Sequence, residues 1–308
     1  MIVLLVVLFL VLLLLALGYF AFYLSVVRAP ASSHRKSAND SFIPFRETLR
    51  AGAEWLSAQE YETVTIRSRD GLRLSARFFP VENAKGTLLL VHGYRSNPGN
   101  DFGVACPFYR SMGWNILAVN QRACGDSEGT YITFGVKERF DLHDWAVYLC
   151  DRFGKEHPVV LNGVSMGSTT ALMSLGTDLP ENVRGVIADC GFTSPAEQLK
   201  CIFRSRFGVA GGLLLAVAGL FAKLFAGFGF SDYSTVTALK QAKLPVLFIH
   251  GEADTFVPIR FTVENYAACV SDKKLLTIPD AGHAVSYLVE PEQCQRDMGK
   301  FLDRMASV

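Results

Sequence analysis

Hydrophobic and polar positions divide this chain into stretches with different periods. Ile2 to Leu17 carry no charge, and the apolar run continues through Tyr19, Phe20, Phe22 and Tyr23. A helix of roughly 20 apolar residues spans a bilayer core, and aromatic rings gather where such a helix meets the interface. Residues 1–24 are therefore expected to form a transmembrane anchor. A cleaved secretory signal is the competing reading. Against it, no Lys or Arg precedes the run, and the run exceeds the roughly 7–15 residues of a signal core. Residues 25–60 read as a linker and lead-in, with Pro30, Pro44, several serines and mixed charge.

From Tyr61 the period becomes that of strands and then of strand–helix repetition. Tyr61–Ile66 alternates polar and apolar, Arg69-Asp70-Gly71 signals a turn, and Leu72–Phe79 reads as the return strand. Largely apolar strands follow at Gly86–Val91, Trp114–Val119, Val159–Asn162, Val183–Ala188 and Val246–Ile249, with a last strand at Leu275–Ile278. Helical patterns separate or follow them at Val136–Asp151, Met166–Leu175, Phe261–Val270 and Glu290–Met305. Strands buried on both faces and joined by helices imply an α/β domain over residues 61–308, with a mostly parallel eight-stranded sheet covered by helices on both sides. Residues 191–243 interrupt the rhythm with no strand signal, and Phe207–Phe230 is almost wholly apolar, with Lys223 its one charge. A second membrane span there would place the strands on opposite sides of the bilayer. Gly208, Gly211, Gly212, Gly219, Gly227 and Gly229 also weigh against one long helix. The expectation is a lid of short helices over the active site.

Composition narrows the function classes. With 30 basic and 29 acidic residues among 308, the net charge is +1, which gives no basic surface for nucleic acid. Seven cysteines and six histidines occur without C-x-x-C or H-x-x-x-H pairing, so neither a metal nor a cofactor is expected. Arg28, Arg35 and Lys36 flank the anchor on its C-terminal side, against a lone α-amino group on the other. The positive-inside rule then places the main domain in the cytoplasm, in keeping with the odd cysteine count.

The chemistry centres on Gly163-Val164-Ser165-Met166-Gly167, where an apolar strand passes through a Gly-x-Ser-x-Gly turn into a helix. Such a turn lifts the serine hydroxyl off the backbone beside a helix N-terminus that stabilises an oxyanion. A serine needs a base, and the base an orienting acid. His283 follows the last strand and Asp254 the one before it, giving the order Ser165, Asp254, His283. Asp189, also at a strand end, is the alternative acid. The oxyanion donors are assigned to the amides of Met166 and of Tyr94, the latter in the loop after Val91. Phe134, Phe192 and Phe256 fall on loops where they line a pocket or simply pack. His92 and His250 precede glycines at strand ends and read as structural, and no motif makes Cys124 or Cys190 a nucleophile.

These motifs, with Leu90-Val91-His92-Gly93, Asn120–Gly129, His250-Gly251-Glu252-Ala253-Asp254 and Gly282-His283, resemble the α/β-hydrolase superfamily. Within it the chain is similar to membrane-anchored bacterial hydrolases of the BEM46-like or serine-aminopeptidase-like type. Asn120 and Ala123 depart from the Asp-x-Arg-Gly form of that loop. The resemblance implies a serine hydrolase acting on a small acyl substrate, with carboxylic esters first. Peptidase, amidase, thioesterase or acyltransferase chemistry by the same three residues is the alternative, and a catalytically silent binding module is the reading from another class.

Overall fold

A computed structural model of the protein describes residues 1–29 and 40–307. Pro30, Arg35 and Lys36 of the lead-in lie outside them. Eight strands form one sheet: β1 (Glu62–Arg67), β2 (Arg73–Phe79), β3 (Gly86–Val91), β4 (Trp114–Val119), β5 (Val159–Val164), β6 (Val183–Asp189), β7 (Val246–Gly251) and β8 (Lys273–Ile278). Their order is β1-β2-β4-β3-β5-β6-β7-β8. The β1–β2 and β2–β4 pairs are antiparallel and the remaining pairs parallel. The sheet is thus mixed only at one edge.

Before the sheet come α1 (Ile2–Val26) and α2 (Arg46–Ser57). The connections between strands carry α3 (Pro98–Phe102), α4 (Cys106–Ser111), α5 (Glu138–Phe153) and α6 (Met166–Ser174). Between β6 and β7 lie α7 (Pro195–Phe207), α8 (Ala210–Phe221), a π-helical turn at Ala222–Ala226, and α9 (Thr235–Leu239). Then α10 (Arg260–Ala268) precedes β8, and α11 (Ser286–Val289) and α12 (Pro291–Ala306) close the chain.

Every residue of β3, β4, β5 and β7 is buried, whereas the edge strands β1 and β8 are partly exposed. Successive side chains on a strand face opposite ways, so each apolar strand feeds two cores. Leu89, Leu117 and Leu161 pack with Trp145 and Leu149 of α5 and Leu172 of α6. Leu88, Leu90, Ile116 and Val160 pack on the other side with Tyr109 of α4 and with Met298 and Leu302 of α12. A third cluster joins Phe22 and Val26 of α1, Phe203 of α7, Ala218 of α8, and Phe134, Met166 and Phe192.

The helix α1 has a mean hydropathy of 3.2 over its most apolar 18 residues, and 6% of that window is buried, so it is long and apolar enough to cross a membrane. Its far end is docked rather than hinged. Ile132 donates its amide to the carbonyl of Val26 at 2.8 Å, and Arg28 donates its own to Thr130 at 2.8 Å. The Arg28 guanidinium donates to the carbonyls of Gly125 and Ser127, each at 2.6 Å. Within the segment read as a lead-in, α2 is an amphipathic helix, with an Arg50–Glu54 pair one turn apart, that sequence reasoning did not assign. Between β6 and β7 the chain is helical with no strand. Pro195 opens α7 behind the Ser194 hydroxyl, which accepts from the Glu197 amide at 3.2 Å as an N-cap. The helices α7 and α8 meet at Gly208 and the π turn ends at Gly227, whereas Gly211, Gly212 and Gly219 lie within α8, so only the outer glycines bound the apolar helix.

Candidate active site

The end of β5 and the start of α6 meet in a turn that places Ser165 at φ +54° and ψ −117°, a strained backbone for a side-chain-bearing residue. Close packing leaves little alternative. A Cβ on Gly167 would lie 1.8 Å from the Val91 carbonyl, and one on Gly163 would lie 2.3 Å from the Gly167 carbonyl. The Ser165 amide donates to the Asp189 carbonyl at 2.8 Å, which fixes the turn to the neighbouring strand.

Three strand ends then converge. Nε2 of His283 is 2.9 Å from Oγ of Ser165, and Nδ1 of His283 is 2.7 Å from Oδ2 of Asp254. All three residues are buried, at 6–8% exposure. The other carboxylate oxygen of Asp254 accepts from the amides of Phe256 at 2.9 Å and Val257 at 2.8 Å. Burial pushes this carboxyl up, but hydrogen bonds from His250, His283 and the Val257 amide outweigh it and hold the group well below the usual carboxylate range. An ionised carboxylate only accepts, so Nδ1 of the neutral imidazole carries the proton and Nε2 is left to accept from the Ser165 hydroxyl.

Asp189 also reaches the strand ends, but its Oδ1 is buried and has no hydrogen-bond partner. Burial, reinforced by the Asp254 charge and opposed by the charges of His250 and His283, pushes its carboxyl up to about 6. An acid whose folded-state pKa is raised stabilises the fold below the unfolded value, and loses that contribution as pH climbs through the folded value. The stability advantage of Asp189→Asn over the native chain should therefore grow, by on the order of 2 kcal/mol, between pH 4 and pH 7. Denaturant midpoints of the two proteins in one detergent, taken across that range, check this; a constant difference contradicts it.

Met166 is the first residue of α6, and amides in the first turn of a helix have no intrahelical acceptor. Tyr94 lies on the loop after β3. A Cβ placed on the preceding Gly93 would lie 3.5 Å from that of Ser165, so this loop borders the nucleophile. Sequence reasoning missed what holds it. Asp101 accepts from the Gly93 amide and from the Ser96 hydroxyl, both at 2.6 Å. The Tyr94 hydroxyl donates to the Ser25 carbonyl of α1 at 2.7 Å, and Arg95 donates to the Val27 carbonyl at 2.6 Å. No local pattern marks these contacts, because two of them bridge nearly seventy residues.

Among the aromatic candidates, the Phe256 ring lies 5.0 Å from that of His283, Phe134 stacks on Tyr94 at 5.3 Å, and Phe192 is buried in the cluster that holds Met166. His92 spends Nδ1 on the Gly93 carbonyl at 2.7 Å and accepts the Gln121 amide at Nε2 at 3.2 Å. His250 lies 2.9 Å from the Val257 carbonyl and 2.7 Å from Thr262 Oγ1, which braces the loop carrying Asp254. Arg122 of the Asn120–Gly129 loop pairs in two-point fashion with Asp141 and also bonds Asp70. Ligand atoms of Cys190, Asp254 and His283 lie within 4.8 Å of one another, a spacing that suits a metal. The Asp254 and His283 atoms are already committed to each other, however, and burial pushes the Cys190 thiol well above its ordinary value. Burial likewise pushes the Cys124 thiol up to about 12, so neither cysteine is poised as a thiolate.

Comparison with known proteins agrees with this architecture. A family model described as the alpha/beta hydrolase fold matches residues 86–203. An uncharacterized Bacillus subtilis protein, YqkD, is 28% identical over 272 residues, covering 88% of this chain and 89% of its own. The Schizosaccharomyces pombe protein bem46 is 27% identical over 70% of this chain and 68% of its own. Among solved structures, the Pyrococcus furiosus esterase Pf2001 superposes with a TM-score of 0.66 at 25% identity, over 81% of this chain and 94% of that one.

Proposed function

We propose that this chain, which has the α/β-hydrolase fold and is similar to bem46, is a membrane-anchored serine hydrolase that cleaves carboxylic esters through an acyl-enzyme. The observation that carries the reading is the unbroken hydrogen-bonded chain Ser165–His283–Asp254 at three strand ends. In the first step Ser165 Oγ attacks the acyl carbonyl while Nε2 of His283 takes its proton. Asp254 keeps the imidazole in the accepting tautomer and stabilises the imidazolium that forms. The tetrahedral oxyanion is held by the amides of Met166 and Tyr94. Collapse expels the alcohol, which receives the proton from His283. Water, activated by the same imidazole, then releases the acid and restores Ser165.

Apolar rings around the chemistry favour a hydrophobic acyl group. Phe256 covers His283, and Tyr94, Phe134 and Phe192 stand beside the oxyanion loop and Met166. Residues 191–243 act as the lid in this reading, α1 is the anchor, and the basic flank of α1 puts the domain on the cytoplasmic side. A series of p-nitrophenyl esters of rising chain length, run beside aminoacyl nitroanilides, tests the substrate class. Ester turnover that rises with chain length is the expected result, and faster cleavage of the anilides overturns it.

A further inference from the structure

The helix α8 is built inside out for a protein surrounded by water. Its buried positions are small, Gly211 and Ala218, continued by Ala222 of the π turn. Its outward positions are large and apolar: Val209 just before it, Leu213, Leu220, and Leu224 just after, at 102%, 57%, 59% and 69% exposure. At about 100° per residue these four share one stripe, opposite the small residues. A surface helix of a soluble protein turns polar groups outward; this one turns leucines outward.

What lies beside that stripe is a membrane span. The helix α8 packs along α1, where a Cβ on Gly18 would come 2.2 Å from the Val217 side chain, the close approach that small residues allow between membrane helices. Tyr19 and Phe22 of α1 meet Phe221 and Phe225 with ring centroids 5.4–6.4 Å apart. The exposed face of α8 therefore continues the exposed face of α1. Charge agrees: residues 198–231 hold Lys200, Arg204, Arg206 and Lys223, all exposed, and no Asp or Glu. Basic side chains with an apolar face suit a bilayer carrying anionic headgroups.

We infer that the Val209–Leu224 face is a second membrane-contacting surface, seated in the lipid beside α1, and that it holds the active site against the bilayer so that the acyl ester is taken from the membrane. The site is close to this surface by construction. The Tyr94 hydroxyl bonds the last turn of α1, and Met166 shares one apolar cluster with Phe22, Ala218 and Ala222. The substrate clause rests on the hydrolase reading; the lipid contact does not.

The test uses the full-length chain in vesicles of phosphatidylcholine with a minor share of phosphatidylglycerol. Leu213→Trp and Leu220→Trp report the stripe. Val270→Trp is the aqueous control, because Val270 is exposed and precedes the opposite end of the sheet, at the start of β8. After subtraction of the native tryptophan signal, the first two should be quenched by phosphatidylcholine brominated in its acyl chains and resist acrylamide, and the control should do the reverse. Quenching by acrylamide as in the control overturns the inference, and so does shielding from both quenchers, which marks a protein–protein contact. The double variant Leu213→Ser/Leu220→Ser should lose roughly tenfold on a long-chain ester dispersed in the same vesicles and keep its rate on a short soluble ester. Equal losses on both, or none, overturn the substrate clause. If the native protein hydrolyses neither ester, the hydrolase reading fails while the quenching result stands by itself.

Discussion

Ser165→Ala should lower kcat by roughly 10⁴ to 10⁶ while leaving KM and thermal stability close to native. The size of the effect follows from the step that is lost. Without Oγ no acyl-enzyme forms, and what remains is the modest help that positioned amides give to attack by water. The small effect on folding follows from what is removed. The Ser165 backbone sits at φ +54° because Gly163, Gly167 and the Val91 carbonyl confine it, and alanine meets the same confinement. The hydroxyl bonds His283 Nε2 at 2.9 Å and is a single small atom. Steady-state kinetics on the best ester, with melting curves alongside, check both halves. Residual activity within tenfold of native excludes Ser165 as the nucleophile.

Asp254→Asn should cost about 10³ to 10⁴ in kcat. Oδ1 of Asp254 faces two backbone amides, so the asparagine oxygen takes that side and its NH₂ replaces Oδ2 opposite His283 Nδ1. Two donors cannot face each other. The imidazole must shift its proton to Nε2, where it can no longer accept from Ser165. Because the native carboxyl is held well below the usual carboxylate range, it is ionised at neutral pH, where the variant is compared with the native protein. Asp189→Asn in the same assay should lose less than about tenfold, since its unpartnered oxygen holds nothing in place. If the Asp189 variant is the inactive one, the assignment of the acid is reversed.

The sheet was legible in the chain because it depends on short-range pattern. Largely apolar runs such as Gly86–Val91 leave no face for water, and the structure buries every one of those residues. Ser165 was legible for a related reason: its turn is set by glycines two positions either side, and their close approach to Val91 and to each other explains why glycine is needed there. Asp254 and His283 could be placed because each follows a strand end, where loops of an open α/β sheet gather. The seating of α1 was not legible. Ser25 and Val27 meet Tyr94 and Arg95, and Arg28 meets Gly125 and Ser127, across nearly seventy to one hundred residues through backbone carbonyls that have no sequence signature. Asp101 was missed likewise, since its partners are one backbone amide and one hydroxyl of a loop. The stretch 207–230 was half legible. Its glycines argued against a single long helix, but nothing local revealed that α8 packs along α1 with its leucines outward.

The most direct test of the hydrolase account is covalent. The full-length protein is incubated with a fluorophosphonate and digested, and the adduct is located by mass spectrometry. The account predicts one modified peptide, carrying the phosphonate on Ser165, absent from Ser165→Ala and formed far more slowly in His283→Ala. A folded native protein that remains unmodified, or that carries the phosphonate on another residue, would contradict it.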